Sequence, residues 1–206
     1  MACTLPVGIH TLKIGSQPER MICYPRVYQV HNRKFERYMN RSIVNEVQSL
    51  IDLQAGNSPS TVESMVGWYE LKNNQRDLLS LSVANNTYHH QAAHPMTYMK
   101  SLTFDLRGEK RCTLKEFFKP GSDYINRLSD LIKLQIKQRD ITLISDFDNI
   151  KPDQDFYVAD KTLVIYFQLY DITPYAFGFP MFPISVYDLQ DIIDGNGPLG
   201  RMATND

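Results

Sequence analysis

Between residues 62 and 106 three runs alternate apolar and polar side chains, and no stretch of helical period separates them. In residues 62–72, Val66 and Trp68 alternate with Met65, Tyr69 and Leu71. In the second run Leu79, Leu81 and Val83 share one face, and Ser80, Ser82 and Ala84 the other. Leu102, Phe104 and Leu106 line a face of the third. Successive side chains of an extended chain point to opposite sides, so a period of two marks a strand with one face in the core and one toward water. Asn73-Asn74 reads as the turn between the first two strands, and residues 107–110 turn the third.

Helical periodicity lies on either side of this block. Phe35, Met39, Ile43, Val47 and Leu50/Ile51 recur at spacings of three and four, which stacks them on one face of a helix over residues 32–53. Asn32 suits its N-cap, and Gly56, Asn57 and Pro59 end it. A second long helix is expected from Ser122 to about Arg139, with Ile125, Leu128, Ile132 and Ile136 as its buried stripe. Before it, Thr113 and Glu116 have capping-box spacing around a short helical segment. Residues 6–14 and 21–30 have strand character, with Pro25 marking an edge or bulge. Residues 156–158 and 163–169 read as the last strands, with Asp160-Lys161 between them. Leu163, Ile165 and Phe167 face one way, and Val164, Tyr166 and Gln168 the other. Ser185 and Asp188 suit the start of a short helix over residues 187–193. Strands and helices are grouped instead of strictly alternating. The expected class is therefore α+β, with an antiparallel or mixed sheet packed against two long helices. Residues 1–193 are expected to form a single domain, with two lobes at about 1–110 and 111–193 as the alternative, and residues 194–206 a polar C-terminal tail.

Charge narrows the partners. Lys and Arg number 22 against 23 Asp and Glu, a net charge of -1, so the whole chain has no electrostatic bias toward nucleic acid or a membrane surface. No stretch approaches the roughly 18 apolar residues of a membrane span. The N-terminus has no basic region followed by an apolar one, so a cytoplasmic location is expected. Cys3, Cys23 and Cys112 have neither CxxC pairing nor metal-ligand spacing. Free thiols are the first expectation, and a Cys3–Cys23 bridge the alternative.

Candidate chemistry is sparse. His89, His90 and His94 are dense enough to suggest zinc or nickel, but adjacent residues of an extended chain point apart and no Cys, Asp or Glu nearby completes a set. No metal or cofactor is expected. Cys112 with His94 has the residue types of a thiolate dyad, which requires contact in space. Asp146/Asp148, Asp153/Asp155 and Asp194 read as turn and cap formers. Phosphate-cradling glycine motifs are absent. Asn40-Arg41-Ser42 and Asn85-Asn86-Thr87 match the glycosylation sequon, the first inside a helix. The most unusual segment is residues 166–187, where Phe167, Tyr170, Tyr175, Phe177, Phe179 and Phe182 are interleaved with prolines. Such a segment is either a rigid crossover burying its rings or an aromatic platform for a protein or saccharide.

The run from Tyr166 to Gly178, Tyr-Phe-Gln-Leu-Tyr-Asp-Ile-Thr-Pro-Tyr-Ala-Phe-Gly, followed by Phe182-Pro183-Ile184-Ser185, resembles the C-terminal signature of the RsiV-like bacterial domain family. Ala92-Ala93-His94-Pro95 is similar to that family's small-small-His loop. Leu102–Leu106, Leu114/Phe117/Phe118, Asp155-Phe156-Tyr157 and Asn40 fall in the expected order. The resemblance runs from about Tyr24 to Ile193. The family consists mainly of domains of unknown function. It includes the extracytoplasmic part of the anti-sigma factor RsiV, which binds lysozyme, and a non-catalytic part of the deacetylase PdaC. His89 and His90 depart from the family's small residues. The chain shows no membrane anchor, sigma-binding segment or deacetylase domain, so those roles are not carried over.

The resemblance implies a recognition domain of bacterial, Gram-positive envelope biology and a spore or extracytoplasmic location as the alternative. The expected function is non-catalytic binding of a protein, lysozyme-like, or of a cell-wall ligand. His94, Tyr88, Tyr175 and Phe177 are the binding candidates, and no catalytic residue is assigned. The alternatives are a structural, self-assembling protein of a spore or surface layer, forming homo-oligomers, and a hydrolase of cell-wall material using His94.

Overall fold

Six strands form one mixed sheet and three strands form a second, in a computed structural model that describes residues 5–204. The large sheet runs in chain order: β1 (Gly8–Ile14), β2 (Ile22–Tyr28), β3 (Val62–Gln75), β4 (Leu78–His89), β5 (Met96–Asp105) and β6 (Lys110–Arg111). Every pair is antiparallel except β2 with β3, which meet in parallel at Ile22 and Gly67. A side chain at Gly67 would collide with Ile22, so glycine lets the two strands close there. The second sheet is antiparallel, β7 (Phe156–Ala159), β8 (Thr162–Tyr166) and β9 (Met181–Ser185). Three α-helices complete the described fold: α1 (Arg33–Ala55), α2 (Tyr124–Gln138) and α3 (Pro198–Met202).

The expected stripe of α1 is its buried face: Phe35, Met39, Ile43, Val47 and Leu50. Its N-cap is Asn32, whose Oδ1 accepts from the Lys34 N–H at 2.9 Å and the Phe35 N–H at 3.4 Å. Gly56 ends it with φ 54°, a conformation that favours glycine. The stripe packs on Val27, Leu79, Leu81, Val83, Leu102 and Phe104 of the large sheet. Each fully buried side chain of this size contributes about 1.5–3 kcal/mol.

The expected single sheet with two helices becomes a stack of four layers. Helix α1 covers one face of the large sheet, and the small sheet covers the other through Ala84, Met99, Tyr157, Val164 and Tyr166. The opposite face of the small sheet, with Leu163, Ile165, Phe182 and Ile184, packs on Leu128 and Ile132 of α2. The two faces expected for residues 163–166 are thus both buried. The Ser80/Ser82 face of β4 is buried too, where the alternation suggested contact with water. Ser80 Oγ shares a 2.8 Å hydrogen bond with Thr103 Oγ1 and accepts from the Val158 N–H at 3.1 Å, tying the small sheet to the large one.

Two further expectations are corrected. Asn73 and Asn74 lie inside β3, and the turn is Arg76-Asp77, both at positive φ as a tight two-residue hairpin requires. Within residues 194–206, the supposed tail, α3 buries Leu199 and Met202 in the core around α2. The helix expected at residues 187–193 is a short 3-10 turn, Val186–Leu189, in which Ser185 Oγ accepts from the Tyr187 N–H at 3.3 Å. A Cys3–Cys23 bridge involves a residue outside the described ones; Cys23 is half-buried and Cys112 buried, both as free thiols.

Three side-chain amides each exchange two hydrogen bonds with the main chain of one residue, in a strand for Val27 and Met99 and just before β1 for Val7. Asn40 accepts from the Val27 N–H at 2.8 Å and donates to its carbonyl at 2.9 Å. Asn74 does the same to Val7 at 3.3 and 2.8 Å, and Gln168 to Met99 at 3.1 and 2.7 Å. Beside Val27 and Met99 the amide replaces a missing neighbouring strand, and at Val7 it satisfies the main chain leading into β1, as main-chain polar groups require when water is excluded.

Candidate functional site

The β4–β5 loop and the β8–β9 connection meet in a cluster of rings. His94 stacks on Tyr175 with centroids 4.0 Å apart and planes at 28°, and Tyr170 lies 5.6 Å from Tyr175. His94 Nε2 is 3.0 Å from the Tyr170 hydroxyl, across a sequence separation of 76. The Pro95 carbonyl receives the Tyr175 hydroxyl at 2.9 Å and lies 2.9 Å from His94 Nδ1. A carbonyl only accepts, so Nδ1 carries a proton in this hydrogen bond. In the neutral imidazole Nε2 then accepts from the Tyr170 O–H. Both nitrogens of His94 are engaged by protein groups.

Local backbone chemistry aims these rings. The Asp171 N–H donates to the Gln168 carbonyl at 3.1 Å, closing a tight turn whose third residue is Tyr170 at φ 68°. Glycine is the usual occupant of that position, and a tyrosine there costs about 1–2 kcal/mol of backbone strain. Asp171 Oδ2 reinforces the turn by accepting from the Gln168 N–H at 3.0 Å. Gln168, clasped to Met99, anchors the connection to β5. Pro174 then leads into the 3-10 turn Tyr175–Phe177, closed by Gly178 at φ 80°. Tyr170 is 47% exposed and Phe177 42% exposed, although both rings are largely apolar.

Below the cluster a polar network joins the sheets. Lys100 Nζ donates to Asp155 at 2.9 and 3.1 Å, Gln168 Nε2 donates to the same carboxylate at 2.8 Å, and Ser101 Oγ bonds the Tyr166 hydroxyl at 2.8 Å. Tyr166 is fully buried, and burial first, then the Asp155 charge, raise its phenol well above its usual range. It serves as a structural hydrogen-bonding group between layers.

Of the binding candidates, the structure brings His94 and Tyr175 into contact and sets Phe177 on the same short turn as Tyr175. Tyr88 is a half-buried residue of β4 opposite Ser64, and its ring makes no ring contact or side-chain hydrogen bond among the described residues. Tyr170 belongs to the aromatic segment and to the signature run Tyr166–Gly178, and its contact with His94 adds it to the binding candidates.

The other candidate groups separate. His89 bonds Thr61 Oγ1 at 2.7 Å and the Gln54 carbonyl at 2.8 Å, while His90 Nδ1 lies 2.5 Å from Glu63. Among the described residues no group of three or more His, Cys, Asp or Glu side chains could hold a metal ion. Cys112 is 4% exposed, and burial, followed by the Asp105 and Glu116 charges, pushes its thiol up to about 12. A protonated thiol away from His94, whose nitrogens are both engaged, does not form the suggested dyad. Asn40 Nδ2 donates to the Val27 and Glu36 carbonyls, and Asn85 is buried, so the first sequon's amide is engaged and the second's is out of reach of solvent. Among the described residues no helix is long and apolar enough to cross a membrane.

Comparison with known proteins bears on this geometry. Residues 115–187 match the profile of the family described as "Protein of unknown function (DUF3298)". A DUF3298 family member from Bacteroides fragilis NCTC 9343 has a similar fold, with a TM-score of 0.71 at 16% identity, over 97% of this chain and 98% of that one. A DUF3298 family protein from Pseudomonas aeruginosa PAO1 has a TM-score of 0.66 at 14% identity, over 94% of this chain and 96% of that one. No curated protein matches the sequence.

Proposed function

We propose that this chain, whose residues 115–187 match the DUF3298 profile, is a non-catalytic recognition domain that binds a protein or cell-wall ligand through the His94–Tyr170–Tyr175 platform and the neighbouring Phe177 ring. The observation that supports this reading most is the strained, outward-facing Tyr170 hydrogen-bonded to His94. Strain of this kind is stored where a surface must hold one shape. Rigid aromatic rings with engaged polar atoms offer contact area at little conformational cost, which suits recognition. Engagement of both His94 nitrogens weighs against its use as a general base. The resemblance to the RsiV-like family adds lysozyme as the first ligand to try, in a bacterial envelope setting.

The test is capture of the protein by immobilised hen lysozyme, with soluble muropeptides as a second ligand. The expected result is saturable binding to one of them, reduced at least tenfold by the Tyr175→Ala/Phe177→Ala pair with the melting temperature nearly unchanged. Binding that ignores both substitutions, or no binding to either ligand, overturns the assignment.

A second reading rests on Val66 and Trp68. They share a face of β3 and are 37% and 38% exposed, an apolar pair that could seat another copy of the chain. Light scattering across a concentration series distinguishes it: a growing mass that Trp68→Ser abolishes supports self-association, and a constant monomer mass rejects it.

A further inference from the structure

Three arginines without partners converge on the groove between α1 and the β1–β2 hairpin. Arg37 and Arg41 stand one helical turn apart on α1, and Arg26 lines the same groove from β2. All three are exposed, and among the described residues none of their guanidinium groups makes a hydrogen bond, ion pair or ring contact. By contrast Arg33, Arg111 and Arg201 each pair with a carboxylate. The groove has a volume of about 410 Å³, and Leu12, Tyr24 and Val44 give it an apolar lining. Val44 is 47% exposed there. Glu36 also lines it, but its carboxylate already accepts from the Val30 N–H and from Arg33, both at 3.1 Å.

The framework around these charges is fixed. Asn40, between Arg37 and Arg41 on α1, exchanges two main-chain hydrogen bonds with Val27, the residue after Arg26. The backbones carrying the three guanidiniums are therefore locked together before any ligand arrives. Like charges four residues apart on a helix are unfavourable, so Arg37 and Arg41 weaken α1 unless something anionic lies across them. Guanidinium forks match carboxylates in a bidentate way.

We infer that this groove docks an acidic peptide segment in which carboxylates flank an apolar side chain, the carboxylates pairing with Arg26, Arg37 and Arg41 and the apolar group resting on Leu12, Tyr24 and Val44. Charge complementarity selects an acidic occupant, and the apolar lining between the charges selects a peptide over an inorganic anion.

Fluorescence anisotropy of a labelled five-residue peptide, two glutamates on each side of a leucine, tests this on the full chain. Binding is expected to weaken at least tenfold in the Arg37→Gln/Arg41→Gln variant and as salt rises from 0.05 to 0.5 M, as screening requires. Replacing the peptide's leucine by serine should weaken it at least threefold. The Tyr175→Ala/Phe177→Ala pair should leave it unchanged, which separates this site from the aromatic platform. The double glutamine variant should melt no lower than the parent, since it removes a like-charge pair. Equal affinity of parent and variant, no binding at millimolar peptide, or a lowered melting temperature overturns the proposal. So does full displacement by tripolyphosphate combined with indifference to the leucine, because that identifies a simple oxyanion site.

Discussion

Arg201 on α3 forms a 2.5 Å ion pair with Asp105 at the end of β5, across a sequence separation of 96 and with side chains only 12% and 8% exposed. The same guanidinium reaches the Arg76 and Asp77 carbonyls at 3.4 and 3.5 Å. This contact docks the last described helix against the β3–β4 hairpin. Removing one partner leaves the other charge nearly buried and uncompensated. Arg201→Ala should therefore cost about 3–5 kcal/mol in urea unfolding, and the apolar double replacement Arg201→Met/Asp105→Leu should cost less than that single change. A single variant as stable as the parent would show that the pair contributes nothing.

Asn40 fills the place of a strand beside Val27. Asn40→Ala strips the Val27 N–H and carbonyl of their partners in a partly buried position, with an expected loss of about 2–4 kcal/mol. Asn40→Asp keeps the acceptor but sets a charged oxygen against the Val27 and Glu36 carbonyls, so its loss at neutral pH should be at least as large as that of Asn40→Ala. Equilibrium denaturation of the three proteins orders them; an Asp variant as stable as the parent contradicts donation from Asn40 to these carbonyls.

Cys112 should resist alkylation. Its thiol, ordinarily near 9.0, is pushed up to about 12, first by burial and then by the Asp105 and Glu116 carboxylates. Iodoacetamide at pH 8 should label Cys23 well before Cys112, as peptide mass mapping can read. The unfolded chain gives up this proton first, so the thiol's contribution to stability is complete below about pH 9 and is lost as pH rises toward about 12. Cys112→Ser removes that ionisation and should flatten the alkaline decline; an unchanged decline assigns it to other groups.

Tyr170 occupies a backbone conformation that glycine adopts freely. Tyr170→Gly relieves about 1–2 kcal/mol of strain while removing an exposed ring and one hydrogen bond. The melting temperature should move by no more than about 4 °C, yet ligand capture should fall. A large loss of stability would make Tyr170 a structural residue.

Elements with a strong local period were legible in the sequence. The stripe Phe35–Met39–Ile43–Val47–Leu50 and the two faces of residues 163–166 follow from geometry that a single segment expresses by itself. What local pattern does not express is who covers a face. Ser80 and Ser82 look solvent-facing because they are polar, but small hydroxyls also let a second sheet approach and hydrogen-bond to it. Asn73-Asn74 has turn chemistry, yet Asn74 uses its amide to clasp Val7, and the tight turn falls on Arg76-Asp77 without a glycine. Residues 198–202 are too few to show a period, and Asp105, which receives Arg201, is distant in sequence. In the candidate site, His94 and Tyr175 came from two motifs of the resemblance that meet in space. Tyr170 depends on that same meeting, so its contact with His94 was not visible from spacing.

The most direct test is an NMR titration of the isotope-labelled protein with unlabelled hen lysozyme, following backbone amide shifts. The expected result is saturable perturbation concentrated in residues 90–95 and 167–180, and absent from the Tyr175→Ala/Phe177→Ala variant. Saturable perturbation confined to other surfaces, or shifts that persist in the variant, would contradict recognition through the His94–Tyr170–Tyr175 platform.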